Sequence, residues 1–226
     1  MCAVIGVYLN KVSKADLETV RNVFLESKIR GMHATGMTIL FNGKLITFKE
    51  PVPADKFRHL DDLEEMVSDD GSLKLIGHCR YSTSDLEYNQ PLYKEDVSIV
   101  HNGVITQELY ENWETKYGIK TATKNDSELL LHTVDQNPLL HWKDASIAAI
   151  ELHSNGTMKF YRNGKRPLYT TVVQNGNIIT STADIAVRSG LLYSVECGMN
   201  TCTTISEGRY YKDFVNIPDA KDLQHV

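Results

Sequence analysis

The sequence predicts an α+β fold in which antiparallel strands pair into sheets and helices cover their faces. Short apolar runs rich in β-branched residues recur along the chain, and several are separated by Asn-Gly, the strongest short signal for a β-hairpin. A capped helical pattern follows the first of these runs. No linker, low-complexity tract or repeat interrupts the chain, so we expect one domain over residues 1–226.

The first half of the chain is predicted to mix strands and helices. Residues 3–9 form a buried strand, and Ser13, with Asp16 three residues later, is typical of a helix N-cap. We expect that helix to end near Arg30-Gly31. The later elements predicted here are strands at 37–41 and 45–48 joined by Asn42-Gly43, a short acidic helix at 61–67, strands at 73–80 and 97–101, the second stopped by Asn102-Gly103, and helices at 107–117 and from 125 or 126 onwards.

The second half is predicted to consist mainly of short strands, at 147–152, 158–161, 169–173 and 178–182. Asn-Gly pairs separate them at 155–156, 163–164 and 175–176, which is typical of an antiparallel meander. A short helix at 183–189 ends at Gly190, and two or three strands follow before a polar tail.

Composition narrows the classes of function. Hydrophobic residues make up 42% and charged residues 23%, an ordinary balance for a globular protein. The net charge of −5 argues against nucleic acid as the main partner, and no apolar run is long enough to span a membrane. The N-terminus lacks the pattern of a secretion signal, so we expect a cytoplasmic protein.

Cysteine and histidine spacing does not favour a metal site. None of the four cysteines forms a Cys-x-x-Cys pair or has zinc-ligand spacing, so we expect a reduced protein without metal or cofactor. Three cysteines are expected in the core: Cys79, Cys197 and Cys202. Three histidines match no metal-binding spacing and are expected in the core or at the surface: His78, His101 and His132.

Cys2 is the first candidate for chemistry because it directly follows the initiator methionine. Removal of Met1, which is usual before a small residue, leaves a thiol and a free α-amine on Cys2. Both groups titrate near neutral pH, so the amine can accept the thiol proton and return it to a leaving group. The alternative is a small buried residue, since free cysteine packs like a hydrophobe.

Three polar clusters are predicted to lie at strand ends, at residues 77–83, 101–103 and 125–128. Each has a structural alternative to a functional role. Arg80 can be a surface arginine, Asn102-Gly103 a hairpin turn, and Asp126 a helix N-cap.

Together these motifs follow a definite order along nearly the whole chain. The segments are Met1-Cys2, Arg30-Gly31 to Gly36, Gly77-His78-Cys79-Arg80-Tyr81-Ser82-Thr83, Asn89-Gln90-Pro91-Leu92, Val100-His101-Asn102-Gly103-Val104-Ile105 and Asn125-Asp126-Ser127-Glu128, with weaker matches at 164–168 and 181–184. Their order and spacing resemble the glutaminase domain of class II glutamine amidotransferases, which are N-terminal-nucleophile hydrolases. The resemblance implies a four-layer α/β/β/α sandwich of two antiparallel sheets.

The resemblance also implies a role for each site residue. Cys2 attacks the side-chain amide of L-glutamine, and its own amine moves the proton. The Asn102 side chain and the Gly103 backbone N–H form the oxyanion hole. Arg80 binds the substrate α-carboxylate and Asp126 its α-ammonium. The remaining pocket positions implied by the resemblance are Gly31, Tyr81 and Thr83.

The implied activity is hydrolysis of glutamine to glutamate and ammonia. Larger members of the family continue into a synthase domain that uses the ammonia, whereas this sequence ends at Val226. We therefore expect a free-standing subunit with an ammonia-accepting partner protein. Met32-His33, after Arg30-Gly31, departs from the usual family pattern and leaves the role of residues 30–36 open. Ser84-Asp85, after Thr83, is a second departure.

Two alternatives remain open from the sequence. The chain can be another N-terminal-cysteine amide hydrolase with a different substrate, although an Arg80 and Asp126 pair suits a free amino acid. It can also be a weakly active glutaminase-like module that serves regulation or binding.

Overall fold

We describe the fold from a computed structural model, which places residues 2–81 and 89–216. The strands are β1 (Ala3–Leu9), β2 (Ala34–Phe41), β3 (Lys44–Glu50), β4 (Leu73–Arg80), β5 (Leu92–Lys94), β6 (Val97–Val104), β7 (Ser146–His153), β8 (Met158–Arg162), β9 (Tyr169–Val173), β10 (Gly176–Thr180), β11 (Val195–Glu196), β12 (Thr201–Ser206) and β13 (Arg209–Phe214). The α-helices are α1 (Lys14–Ser27), α2 (Trp113–Tyr117), α3 (Ser127–Leu131), α4 (Pro138–His141) and α5 (Ala183–Arg188). Short 3-10 helices lie at Lys28–Arg30, Ala54–Lys56, Arg58–Leu60, Leu63–Met66 and Tyr110–Asn112.

Within the described ranges, the strands form two antiparallel sheets. Sheet A has seven strands in the order β11-β9-β10-β1-β4-β2-β3. Sheet B has six strands in the order β13-β12-β8-β7-β6-β5. Strand β1 therefore lies in the middle of sheet A, paired with both β10 and β4, and this position fixes the start of the chain in the body of the molecule.

Alternate residues of the central strand β1 contribute to two different cores. Ile5 faces outward and packs with Phe24 of α1 and Ile185 of α5. Val4 faces inward and packs with Ile150 of sheet B. This period of two is what a strand buried on both faces requires. Sheet A therefore lies between a helix layer and sheet B.

Sheet B shows the same division on its own strand β7. Ala149 faces Leu130 of α3 and Leu139 of α4, whereas Ile150 faces sheet A. The layers thus run helix, sheet, sheet, helix, which confirms the predicted α+β four-layer sandwich. No helix of the described chain is long and apolar enough to cross a membrane.

Local signals at α1 behave as the sequence predicts. The Ser13 hydroxyl accepts the Asp16 N–H at 3.2 Å, and the Asp16 carboxylate accepts the Ser13 N–H at 2.9 Å, which completes a capping box. The α-helix ends at Ser27, and a 3-10 turn continues it to Arg30, close to the predicted end.

The Asn-Gly pairs do not all form hairpin turns. Strand β6 continues through Asn102 and Gly103, which pair with β7, so the predicted stop at this dipeptide is wrong. The predicted meander is also wrong, because the chain crosses from sheet B to sheet A between β8 and β9. At that crossing the Asn163 side chain accepts the Ile147 N–H at 3.1 Å and donates to the Ala145 carbonyl at 2.7 Å.

Two predicted helices are shorter than expected. Residues 107–117 contain a 3-10 turn, Tyr110–Asn112, followed by the five-residue α2. Residues 61–67 contain only the 3-10 turn Leu63–Met66. Short helices are marginal on their own, and in both segments only part of the chain packs on a core, around Trp113 in the first and Leu63 in the second.

Candidate active site

The candidate site lies where one end of sheet A faces one end of sheet B. Because β1 and β4 are antiparallel, the start of β1 meets the end of β4, and Ala3 pairs with Cys79. This register places Cys2 beside Arg80. A cavity of about 580 Å³ opens there, and its lining includes Cys2, Arg80, Asn102, Gly103 and Asp126. The structure therefore brings together five of the residues that the sequence singled out.

The backbone of Cys2 is held in place while its side chain faces the cavity. The guanidinium Nε of Arg30 donates to the Cys2 carbonyl at 3.0 Å. The thiol Sγ lies 3.9 Å from the Tyr81 carbonyl, to which it donates. Burial lowers the pKa of Arg30, and a nearby Cys2 thiolate acts in the opposite direction. Arg30 is thus a cation close enough to stabilise a negatively charged sulfur.

Asn102 presents an amide donor that nothing in the described chain uses. Its side chain is 4% exposed, and Nδ2 is buried without a hydrogen-bond partner among the placed residues. A buried donor left unpaired costs on the order of 1–3 kcal/mol, so an acceptor that reaches it from outside the described residues would be stabilising. The Asn102 Nδ2 is therefore available for an oxygen atom that enters the cavity.

Gly103, the next residue, cannot carry a side chain here. Its φ is 154°, and a Cβ atom would overlap the Ser146 carbonyl oxygen and lie 2.6 Å from Nε2 of His101. Glycine lets β6 and β7 approach closely at this point while the strand continues. The glycine is required by contacts on the sheet, whatever its backbone N–H does in the cavity.

A buried network fixes the strand that carries Asn102. Gln90 Oε1 accepts the His101 N–H at 2.6 Å, and Gln90 Nε2 donates to the His101 carbonyl at 3.0 Å. The His101 ring lies 2.8 Å from the Ser127 hydroxyl and 3.0 Å from the Ser146 carbonyl. Since a carbonyl only accepts, Nε2 carries the proton. Burial lowers the pKa of His101, which keeps this ring neutral.

Two groups of opposite charge complete the site. Arg80 Nη1 donates to the Asn89 carboxamide oxygen at 2.9 Å. Asp126 Oδ2 accepts the Ile105 N–H at 2.6 Å and the Thr106 N–H at 3.4 Å. Its other oxygen, Oδ1, bonds to no residue that the structure places. The arrangement offers a cation and an anion to a ligand that carries both charges.

Known proteins resemble this chain in structure but not detectably in sequence. No protein-family model matches the sequence, and no curated protein matches it. Solved structures do match. The glutamine phosphoribosylpyrophosphate amidotransferase from B. subtilis, complexed with ADP and GMP, superposes with a TM-score of 0.73 at 17% identity over 96% of this chain. An allosteric regulatory enzyme of purine biosynthesis gives 0.76 at 19% identity over the same share.

The chain has the class II glutamine amidotransferase fold. A glutamine aminotransferase class-II domain protein from Silicibacter pomeroyi also shares it, with a TM-score of 0.61 and 12% identity over 96% of this chain. That protein is covered over 100% of its length. By contrast, the chain spans 50% of each of the first two structures.

Two of the predicted pocket residues, Gly31 and Tyr81, are not among the residues that line the cavity. Gly31 is buried, and a Cβ atom there would overlap the Cys79 carbonyl oxygen and lie 2.5 Å from the Arg80 carbonyl carbon. It supports Arg80 by close backbone packing. The Tyr81 ring is 51% exposed and packs against His33, with ring centroids 4.9 Å apart. Thr83 lies outside the described residues.

Sequence reasoning missed several lining residues, among them His78, Gln90, Trp113, Lys124 and Arg166. His78 and Gln90 stood inside recognised motifs, and Arg166 stood in a weaker match, so a signal was present. No sequence motif marks Trp113 or Lys124. They reach the cavity only through the folding of α2 and of the segment before α3.

His78 predicts a dependence of stability on pH. Burial lowers its pKa to about 3, so the fold holds it neutral. Below pH ~6.5 the unfolded chain binds a proton at this histidine, whereas the folded chain does not until the pH nears ~3. The free energy of unfolding is therefore highest above pH ~6.5 and falls as the pH drops towards ~3. We expect the unfolding free energy to fall by on the order of 1.4 kcal/mol per pH unit from this residue alone.

Urea unfolding at pH 7, 6 and 5 measures this slope. His78→Gln is expected to flatten it, whereas His141→Gln, at an exposed histidine, is the matched control and leaves it unchanged. An identical slope in His78→Gln and wild type would show that His78 is not the residue being titrated.

Proposed function

We propose that this chain hydrolyses the side-chain amide of L-glutamine to glutamate and ammonia, with Cys2 as the nucleophile. One observation carries the proposal. One cavity of about 580 Å³, a size that suits a small ligand, is shared by Cys2, Arg80, Asp126 and an Asn102 amide nitrogen that has no partner among the described residues. The class II amidotransferase fold supports the same reaction.

The chemistry requires Cys2 to be the first residue after loss of Met1. Its α-amine takes the thiol proton, and the sulfur attacks the side-chain carbonyl carbon of glutamine. The carbonyl oxygen becomes an oxyanion, for which Asn102 Nδ2 and the Gly103 N–H are the proposed donors. The amine then gives its proton to the leaving nitrogen, and ammonia departs. Water, deprotonated by the same amine, attacks the thioester and releases glutamate.

The surroundings of the sulfur favour a negative charge. Arg80, Lys124 and Arg166 line the cavity, and Arg30 bonds to the backbone of Cys2. Asp126 is the carboxylate among these lining residues. Positive charges near the sulfur attract the negative charge that it carries once the amine has taken its proton. A free thiol also needs a reducing compartment, which fits the cytoplasmic location that we propose.

Binding of the amino-acid head group gives a prediction of selectivity. Asp126→Asn is expected to raise the KM for glutamine by about ten- to a hundredfold, because a charge-assisted hydrogen bond is worth about 1.5–3 kcal/mol. Hydrolysis of a glutamine analogue without the α-amine is expected to change little. Arg80→Lys is expected to weaken the binding of both substrates. Both carry the α-carboxylate, and lysine lacks the planar guanidinium that binds it through two hydrogen bonds.

Steady-state kinetics of both variants with both substrates tests this pattern. If Asp126→Asn harms the two substrates equally, Asp126 does not bind the ammonium, and the alternative of a different amide substrate gains support. Hydrolysis that is very slow for every amide tested would favour the binding-module alternative.

We also propose that a partner protein receives the ammonia. Three exposed apolar side chains lie within two residues of Arg30 or Arg80 in the sequence: Ile29 at 70%, Met32 at 55% and Tyr81 at 51% exposure. Exposed apolar side chains grouped beside a site are typical of a protein contact. Residues 34–36 belong to β2. Within the 30–36 segment, residues 30–33 are therefore the part that a bound partner could order.

Such a partner is expected to raise the apparent affinity for glutamine. If about 1% of the isolated molecules are competent, a partner that stabilises the competent state improves affinity by up to about a hundredfold. The measurement is capture from the native cell followed by glutaminase kinetics with and without the captured protein. The double variant Ile29→Ser with Met32→Ser is expected to lose both capture and stimulation. Full activity of the isolated chain, unchanged by any captured protein, would contradict the subunit proposal.

A further inference from the structure

A second cleft, of about 670 Å³, opens beside the glutamine cavity. Thr106 and Arg166 line both. We call it the basic cleft, and its lining includes Lys116, Tyr117, Trp142, Lys143, Lys165 and Arg166. Its volume lies in the range of sites that hold small molecules. This cleft is separate from the cavity that we assign to glutamine, and the proposed reaction gives it no role.

The charge of the basic cleft is opposite to that of the whole chain. Four cationic side chains line it against one lining carboxylate, Asp144, although the chain has a net charge of −5. Glu108 outside the lining offsets one cation by pairing with Lys116 at 2.8 Å. A concentration of one sign in a concave surface attracts ligands of the other sign.

Two of these cations have polar atoms without a partner among the residues that the structure places. Lys143 makes no hydrogen bond or ion pair with the described residues, and Arg166 Nε is buried without a partner. Lys165 Nζ donates to the Asp144 carbonyl at 2.8 Å, which keeps its charge uncompensated. A buried guanidinium nitrogen without an acceptor is costly and calls for an oxygen from outside the described chain.

The walls of the basic cleft also support the glutamine site. The Tyr117 hydroxyl lies 2.6 Å from the Thr106 hydroxyl, and the Thr106 N–H faces Asp126. The Ser146 hydroxyl accepts the Val104 N–H at 2.9 Å, directly after Gly103. A ligand in the cleft would therefore contact the residues that hold both ends of the catalytic arrangement.

We propose that the basic cleft binds a small molecule with two or more negative charges, of the phosphate-ester or polycarboxylate class. Lys143, Lys165 and Arg166 supply the charge-assisted hydrogen bonds. The binding does not depend on glutamine hydrolysis by this chain, although the position of the cleft suits a molecule that reacts with ammonia.

The test uses the two tryptophans of the chain as reporters. Trp142 lines the basic cleft and Trp113 lines the glutamine cavity, so Trp113→Phe leaves a reporter in the cleft alone. Inorganic pyrophosphate and citrate are titrated separately, with ionic strength held constant by KCl, and calorimetry on the wild type repeats the measurement. We expect a saturable change with at least one of them, and their relative affinities separate phosphate from carboxylate recognition.

Charge reversal locates the bound anion. Lys143→Glu with Lys165→Glu is expected to weaken binding at least about tenfold, since two charge-assisted contacts are lost. Lys14→Glu with Lys44→Glu makes the same change of net charge at exposed sites on α1 and β3 and is expected to leave binding unchanged. Melting curves check each fold, and the single variant Lys143→Gln replaces the double variant if that one does not fold.

Three results would overturn the proposal. One is no saturation with either anion. Another is equal weakening by the two double variants, which would indicate a general effect of net charge. The third is binding that survives Lys143→Glu with Lys165→Glu but disappears in Arg80→Ala, which would place the anion in the glutamine cavity. None of these readouts requires glutaminase activity, so failure here is distinct from failure of the proposed function.

Discussion

Cys2→Ala is expected to lower the rate of glutamine hydrolysis by about ten-thousandfold or more, because loss of a covalent nucleophile removes the whole two-step route. The fold is expected to survive, since Cys2 precedes the first strand and is only partly buried. Glutamate release and a thermal melting curve, measured on the same preparation, test both expectations. Activity within about tenfold of wild type would end the assignment of Cys2 as nucleophile.

Cys79→Ala is the matched control for this variant. Cys79 is fully buried, and burial raises its pKa to about 12, so its thiol stays protonated and unreactive at neutral pH. We expect this variant to keep most of the activity and to lose some stability. If activity were lost in Cys79→Ala and kept in Cys2→Ala, the nucleophile would be Cys79. This residue lies in the core between sheet A and the helices, so the proposed site would be wrong.

Asn102→Ala is expected to have the second largest effect, a fall in kcat of about a hundred- to a thousandfold. Removal of one oxyanion-hole donor typically costs about 2.7–4 kcal/mol of transition-state stabilisation. The donor serves the transition state, so the KM for glutamine is expected to change much less. Because Asn102 Nδ2 has no partner among the described residues, its removal is expected to leave the free energy of unfolding unchanged or slightly raised.

Asn163→Ala is the matched control, since the same substitution there removes an amide that both donates and accepts hydrogen bonds. Asn163 bonds both Ile147 and Ala145, so its loss is expected to cost about 1–3 kcal/mol of stability with kcat retained. Urea unfolding and steady-state kinetics of both variants give the comparison. If Asn102→Ala loses stability like Asn163→Ala and keeps its kcat, Asn102 has a structural role and the oxyanion hole lies elsewhere.

Local sequence patterns predicted the parts of the fold that depend on local energetics. The capping box at Ser13 and Asp16, the Asn42-Gly43 hairpin and the buried strand β1 follow from contacts within a few residues. The division into two sheets needed the resemblance to a known family. No local signal in the segment between β8 and β9 shows that the chain changes sheets there.

The candidate site shows the same limit. Asn102-Gly103 has the sequence of a turn, but pairing with Ala148 and Ile147 keeps it in a strand, because tertiary pairing outweighs local propensity. The sequence identified Arg80 and Asp126 through motifs, whereas Trp113 enters the site only through packing of α2. Lining residues were thus predicted where a motif marks them in the sequence, and missed where only packing brings them to the cavity.

We propose that Cys2, as the first residue of the mature chain, attacks the side-chain carbonyl of glutamine. The most direct measurement treats the protein with a glutamine analogue that carries a chloromethyl ketone in place of the amide. The sulfur displaces chloride and forms a stable thioether, which intact-mass and peptide analysis locate. We expect one label, on Cys2, only in molecules that have lost Met1, and blocked by excess glutamine. Labelling of Cys197 or Cys202, or no labelling of Met1-free protein, would contradict the assignment.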